Sequence, residues 1–256
     1  MKQIIICIGV FMISFFELFA QVEKKQSEIS VVYGTKTLNS EMNDAWPIRQ
    51  DVSSSFYSNG YNLSVDVENR LDFVGVKYEY YFYENKLSVL SGLKVLFFNS
   101  GLIKADQDDG GYYYLRIKTE GTTTEYARVK SITESSTYAG IPVELKYTPF
   151  DYKYFSFYGK LCLDVAYKLA TNTNINFKQA EMQEYESTVL NEINPEANSF
   201  YGTIYAAVGA NLRLNKSLYI NLDVFVPSFL TTTDNSGLVN VQNDSGVQIS
   251  LSIPFK

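Results

Sequence analysis

The acidic and basic residues of this chain fall at spacings that suit ion pairing inside a sheet better than catalysis. Glu79, Glu144, Asp164 and Asp223 stand on the polar side of alternating runs that also carry Lys77, Lys94, Lys146, Lys160, Lys168 and Arg213. Facing carboxylates can do general acid–base work. Taken out of water beside a lysine, however, a carboxylate first of all neutralises a buried charge that would be costly alone. These ten residues are expected to form a lumenal charge network, with a proton relay or catalytic pair as the alternative. The chain has no histidine. That removes Ser-His-Asp and Cys-His catalysis and the commonest metal ligand. Zinc lacks its usual donors, and neither a phosphate loop nor a dinucleotide fingerprint is present. No enzyme activity and no cofactor are expected.

Two acidic clusters suit solvated surface better than a site. Asp106-Gln107-Asp108-Asp109-Gly110-Gly111 resembles the opening of a calcium loop, but the twelfth position from Asp106 is Ile117, where an EF-hand places Glu. A solvated turn is the expectation, and no metal site. Glu181, Glu184 and Glu186 are expected to face solvent on Phe177 to Leu190, a segment without Gly or Pro that suits a short helix.

The elements that hold the charged residues alternate with period two. Leu218, Ile220, Leu222, Val224 and Val226 alternate with Tyr219, Asn221, Asp223 and Phe225; Val247, Ile249, Leu251, Ile253 and Phe255 alternate with Gln248, Ser250, Ser252 and Pro254. The same rule finds strands around 200–214, 155–169, 141–148, 87–97 and 74–82, and a weaker one at 29–34. Period-two alternation of this length means strands with one apolar face. Leu90 and Leu96 blur the polar side of their strand.

Eight strands follow, joined alternately by short turns (Glu84-Asn85-Lys86, Pro149 to Lys153, Asn215-Lys216-Ser217) and by long polar loops at about 37–70, 104–135, 171–198 and 231–244. That rhythm is the pattern of an outer-membrane barrel. The fold expected is all-β: an eight-stranded antiparallel up-and-down transmembrane β-barrel with long extracellular loops. Tyr112 to Lys118 and Thr124 to Val129 are expected to form a hairpin extending the wall above the membrane, or else two more spanning strands, making ten. Tyr61 to Val67 is a further run inside the first loop.

The N-terminus supports export. Lys2, the apolar run Ile4 to Phe16 and Leu18-Phe19-Ala20 before Gln21 make a cleavable signal at residues 1–20, leaving 21–256 as one barrel domain. Cys162 is then the only mature cysteine, expected as a small buried hydrophobe. The net charge of −6 argues against nucleic acid. Which face meets lipid is decided by size and chemistry. Eight strands enclose only enough room for side chains, and the polar side is rich in small residues and charges of both signs, whereas the other is bulky and uncharged. Lipid outside is the expectation, and a soluble lipocalin-like ligand-binding barrel the alternative.

Ala139-Gly140-Ile141-Pro142-Val143-Glu144-Leu145-Lys146-Tyr147 resembles the "IPL-x-LKY" strand of small bacterial outer-membrane β-barrel domain proteins, the PorT-like and OmpA-barrel-like group. The closing strand Gly246 to Phe255 and the Phe-Ala-Gln junction are similar too, although Lys256 follows the terminal aromatic. The resemblance implies this fold and an outer-membrane location, with no chemistry attached. Function is expected on the loops: a structural role, or recognition of a surface ligand or an envelope protein, with Tyr57, Tyr61, Tyr112, Tyr113 and Tyr114 as contacts. A narrow ion or small-solute pore is the alternative. The partners expected are therefore outer-membrane lipid and a surface ligand or envelope protein at the loops, and no nucleic acid.

Overall fold

The computed structural model describes residues 27–44, 46–49, 51–52, 61–62, 65–83, 86–104, 111–120, 123–193, 198–215, 217–233 and 236–255. The expected signal at residues 1–20, Tyr57 and the stretch Asp106 to Gly110 lie outside the described residues.

In chain order the strands are β1 (Ser27–Met42), β2 (Ile48–Arg49), β3 (Asp51–Val52), β4 (Tyr61–Asn62), β5 (Val65–Phe82), β6 (Leu87–Lys104), β7 (Tyr113–Glu120), β8 (Thr123–Asp151), β9 (Phe155–Phe177), β10 (Phe200–Asn215), β11 (Leu218–Phe225), β12 (Leu230–Thr231) and β13 (Val239–Phe255). Between β9 and β10 lie a 3₁₀ turn (Ala180–Tyr185) and helix α1 (Glu186–Ile193). The helix expected at Phe177 to Leu190 therefore forms a few residues later, and Glu186 is not simply solvent-facing: its carboxylate accepts from the Ile175 amide at 2.6 Å.

The antiparallel pairings β1–β5, β5–β6, β6–β8, β8–β9, β9–β10, β10–β11, β11–β13 and β13–β1 return to their start, so the sheet closes into a ring through eight strands. Closure leaves no edge along these strands. β7 pairs with the far end of β8, on the same edge that β6 occupies lower down. It lengthens the wall and adds no member to the ring, as the hairpin reading requires.

Short connections close one end of the ring. Tyr83 adopts φ 49°, an uncommon conformation for a residue with a side chain, and the Lys86 amide bonds back to its carbonyl at 3.0 Å. Between β10 and β11, the Ser217 amide donates to Asn215 Oδ1 at 2.7 Å, an Asx-type reversal.

The opposite end departs from expectation. Much of each supposed loop is strand: β1 runs to Met42, β5 starts at Val65, β6 reaches Lys104, β8 starts at Thr123, β9 ends at Phe177 and β13 starts at Val239. The cause is an inversion of polarity along single strands. In the lower part of β8, Ile141, Leu145 and Tyr147 are exposed while Pro142, Glu144 and Lys146 are buried. Further up the same strand, Thr133 and Ser135 are exposed while Ile132 and Tyr138 are buried. The outward face thus stops being apolar, and with it the signal that marks a strand on sequence.

The upper part forms a crown with its own core. Trp46, Leu102, Tyr113, Leu115, Val129, Ile132, Ile175, Phe177, Val189 and Leu238 pack inside it. Below lies a second apolar layer that includes Leu71, Phe73, Leu96, Phe98, Tyr201, Tyr205 and Phe225. Leu96 belongs to this layer, which explains why it blurs the polar side. Cys162 is buried in the same layer, as expected of a small hydrophobe.

The filled interior and the exposed crown

The lower interior holds the charged side chains, and the ring's strands bring them together because each contributes its inward-pointing positions. Lys77 of β5 bonds the Glu144 carboxylate of β8. Lys160 of β9 stands 3.2 Å from the other oxygen of Glu144 and 2.9 Å from Asp223 of β11. Gln248 of β13 donates to Asp223 at 2.7 Å and accepts from Lys77 at 2.9 Å. Five residues from five strands therefore close a cycle across the lumen. Below it, Lys146 pairs with Glu79 at 2.9 Å, and Ser88 donates to the same carboxylate. Gly209 makes room here, since a Cβ on it would lie 2.4 Å from Tyr158 and 2.5 Å from Asp223.

Above the cycle, Lys94 bonds both oxygens of Asp164 at 2.9 and 2.8 Å. Lys36 stands 3.2 Å from Asp244, and Tyr201 and Tyr205 donate to Asp244 and Asp164 at 2.9 and 3.1 Å. The ammonium groups then meet the underside of the apolar layer: Lys36 lies 3.8 Å from the Tyr205 ring centroid and Lys94 4.3 Å from that of Phe73. Each of these charges is buried, and each is matched by an opposite charge. A buried ion demands such pairing, because stripping it of water costs several kcal/mol.

Eight of the ten sequence-derived network residues join this interior. Arg213 does not: it pairs with Asp151 and donates to the Tyr152 carbonyl at 2.9 Å, at the rim of the short-turn end. Lys168 is half-buried at the register of Tyr138, above the network, where the interior has turned apolar. Lys36, Asp244, Glu28 and Gln248 were missed as members. Lys36 and Asp244 continue the inward parity of Val32-Gly34 and Gln248-Gly246, and that parity is the signal that finds them. The short-turn end opens as a cavity of ≈ 500 Å³ lined by Glu28, Tyr81, Lys146, Asp151, Arg213 and Tyr219, among others. Farther in, a separate pocket beside Lys77 and Lys160 holds ≈ 10 Å³, room for about one water.

The crown is tied shut by polar groups at its core. Trp46 Nε1 donates to the Gly237 carbonyl at 2.7 Å. The Gly237 amide donates to both oxygens of Glu134 at 3.2 and 3.0 Å. Burial raises the Glu134 carboxyl above the usual range, partly offset by the Ser236 hydroxyl, the Gly237 amide and the nearby Lys168 charge. Of the expected tyrosine contacts, Tyr112 and Tyr114 are partly exposed, whereas Tyr113 is fully buried and donates to the Leu102 carbonyl at 3.1 Å. Alternation decides this: Tyr113 stands opposite Val129 on the inward side. Tyr61 lies in β4, paired with Val52 of β3.

No family model matches the chain, and no curated protein matches it. Among solved structures it is similar to the outer-membrane protein OprG of Pseudomonas aeruginosa, at 15% identity and TM-score 0.46, over 90% of this chain and 95% of that one. It is similar to Ail, the attachment invasion locus protein of Yersinia pestis, at 11% identity and TM-score 0.37, over 91% and 100%. It is also similar to the E. coli outer membrane protein W, at 11% identity and TM-score 0.32, over 91% and 100%. At these distances the functional reading rests on the faces of this chain alone.

Proposed function

We propose that the chain is a non-enzymatic bacterial outer-membrane protein: an eight-stranded transmembrane barrel whose lumen is closed by its own side chains and whose extracellular crown carries a recognition or structural role. The observation that carries this reading is the polarity inversion. The exposed exterior of the lower ring is Ile29, Val31, Val76, Leu93, Ile141, Leu161, Leu163, Leu222, Ile249 and Leu251, an apolar surface that is costly in water and suits hydrocarbon. Aromatics border it on both sides, with Tyr33, Phe97, Tyr167 and Phe200 toward the crown and Tyr78, Tyr147, Phe157 and Phe255 toward the short turns. Girdles of this kind mark the two interfaces of a membrane barrel.

The interior supports the closed lumen. A general porin takes about 16–18 strands; here the ion cycle and the apolar layer fill the space. Residues 1–20 would direct export and then be removed, leaving Gln21 as the mature N-terminus. Lipid outside the belt and a ligand or envelope partner at the crown are the partners of this reading. The resemblance of the "IPVELKY" strand to the PorT-like and OmpA-barrel-like pattern supports the same reading.

The test is fractionation with gel mobility of boiled and unboiled samples, followed by planar-bilayer recording. Outer-membrane partition, faster migration unboiled and silent bilayers are expected. A soluble chain without a mobility shift overturns the membrane reading in favour of a soluble ligand-binding barrel. Discrete conductance altered by Glu144→Gln overturns the closed lumen in favour of a narrow pore.

A further inference from the structure

We propose that the outer face of the β7–β8 hairpin binds an acidic polysaccharide; the inference rests on the reading of the crown as extracellular. The register builds this face. Tyr114 stands opposite Arg128 and Arg116 opposite Tyr126. Leu115 and Ala127 between them, and Tyr113 and Val129 beyond, turn inward to the crown core, while Tyr112 is half-buried and Lys130 exposed. The Lys178 amide bonds the Arg128 carbonyl at 2.8 Å, which sets Lys178 beside Arg128 at the end of β9. Four cations and three tyrosines therefore tile one sheet face, with one exposed acid, Glu125, toward its turn end. In a chain of net charge −6, that is a local reversal of sign.

The groups are held in place. Lys178 Nζ lies 4.1 Å and the Arg128 guanidinium 5.1 Å from the Tyr112 ring centroid. Tyr112 and Tyr114 meet edge to face with centroids 5.5 Å apart. Behind them, Tyr113, Leu115, Ala127, Val129 and Phe177 anchor the sheet in the apolar core. Arg116, Tyr126, Arg128, Lys130 and Lys178 remain exposed. The ammonium, guanidinium and phenol groups of such a face all donate hydrogen bonds, so its complement is an acceptor-rich, negatively charged chain.

Position and geometry choose among polyanions. Arg128 lies eleven residues beyond Ala139, where the apolar belt ends. At about 3.3 Å per residue and a tilt near 45°, the face stands roughly 25 Å past the belt. The headgroup layer is only about 5–7 Å deep, so lipid phosphates fall short of the face and a polymer rising from the surface does not. Nucleic-acid bases need a run of open ring faces for stacking, whereas the Tyr112 ring is taken by two cations and packs edge to face with Tyr114, leaving Tyr126 the most open of the three. Hydroxyls and carboxylate or sulfate groups of a sugar chain ask only for donors.

The test titrates the mature chain, folded in detergent, with dextran sulfate, neutral dextran and single-stranded DNA matched in charge. Dextran sulfate is expected to bind in a salt-sensitive way and neutral dextran not to bind. The double variant Arg128→Gln/Lys178→Gln should weaken dextran sulfate binding about tenfold, as two exposed charge contacts together approach one decade. Arg70→Gln, a crown cation paired with Asp72 on β5, should leave it unchanged. Equal loss in both variants, no loss in the double variant, or tighter binding of DNA overturns the proposal. Heat-shifted mobility, measured on every variant, keeps the two readings apart. A heat-shifted chain that ignores dextran sulfate sinks this inference alone, and an unshifted chain that binds it sinks the membrane reading alone.

Discussion

The lower ring and the crown are built from the same strands, yet they solve opposite problems. Along β9, Leu161, Leu163 and Val165 face outward and Lys160, Cys162 and Asp164 inward; past Leu169, Asn174 and Asn176 face outward and Ile175 and Phe177 inward. The strand pairs with β8 on either side of the boundary, but an irregularity opposite Thr137 and Tyr138 skips Leu169 and reverses the parity of β9, which is how Ile175 and Phe177 come to face inward. On the membrane reading proposed above, what changes is the surrounding solvent. In water the apolar residues go inside, and in hydrocarbon they go outside while the charges retreat to the lumen, where they must pair. A boundary in side-chain polarity thus records where the medium changes. The sharpest tests are those in which one kind of substitution has opposite consequences on its two sides.

The largest difference is expected in the interior. Asp164→Ala strands Lys94, whose ammonium bonds both Asp164 oxygens, in a buried site with no other carboxylate at hand among its described bonds. Removing one partner of a buried pair costs about 3–5 kcal/mol. Urea unfolding of the refolded protein should show that loss. Asp164→Asn, which keeps shape and acceptor, should lose less. If Asp164→Ala unfolds like the parent, the lumen is wetter than its packing implies, and the contrast with the dry crown core fails.

On the outside, one substitution made twice sharpens the boundary. Leu161→Arg places a charge on the belt, at an expected cost of about 2–4 kcal/mol if the site lies near the midplane. Thr133→Arg places the same charge on the crown exterior, where surface changes stay within about 0.5 kcal/mol. Folding yield into lipid vesicles, read by gel mobility, measures both. Equal tolerance at the two positions would mean that water bathes both, and the apolar face would then have to be explained as an interface between proteins.

The belt is legible in the sequence, and the crown is not, for one physical reason. An apolar face opposed to a polar one identifies a strand on sequence, and the strand's boundary falls where that outward face ends. Beyond Tyr33, Thr35 and Thr37 look like a loop, although Leu38 keeps the strand's period by pointing inward. Lys36 and Asp244 therefore fall at or beyond the expected strand ends, and the ion pair between them is invisible to that rule. Leu71, Phe73, Leu96 and Phe98 are the available clue: large apolar residues on the side assigned to the lumen announce that the lumen has become a core. The lower network is legible because its charges sit on strands whose outer faces are unambiguous. Arg213 is misplaced because parity gives the face and not the depth.

The crown's closure offers a smaller effect, confined to its own half. Trp46 is the chain's sole tryptophan, so its fluorescence reports on the crown alone. Trp46→Phe keeps most of the apolar volume but leaves the Gly237 carbonyl without its donor, a loss of about 1–3 kcal/mol for a buried group. Limited proteolysis should then cut the crown sooner while the belt stays protected. Simultaneous loss of both would show that the two regions melt as one unit.

The smallest expected effect is a dependence on pH, and it follows from Glu134. Burial lifts this carboxyl above its ordinary range, so the folded crown holds its proton more tightly than the unfolded chain does. Stability from this group is therefore fully present below the unfolded carboxyl's range and is lost as the pH rises through the raised folded value. Glu134 also accepts from the Gly237 amide, and the Gly237 carbonyl in turn accepts from Trp46. Loosening should thus appear as faster exchange of the Gly237 amide and a shift in Trp46 emission with rising pH. Glu134→Gln, which keeps the acceptor and cannot ionise, should flatten that response. A response that survives in Glu134→Gln would locate the titration elsewhere.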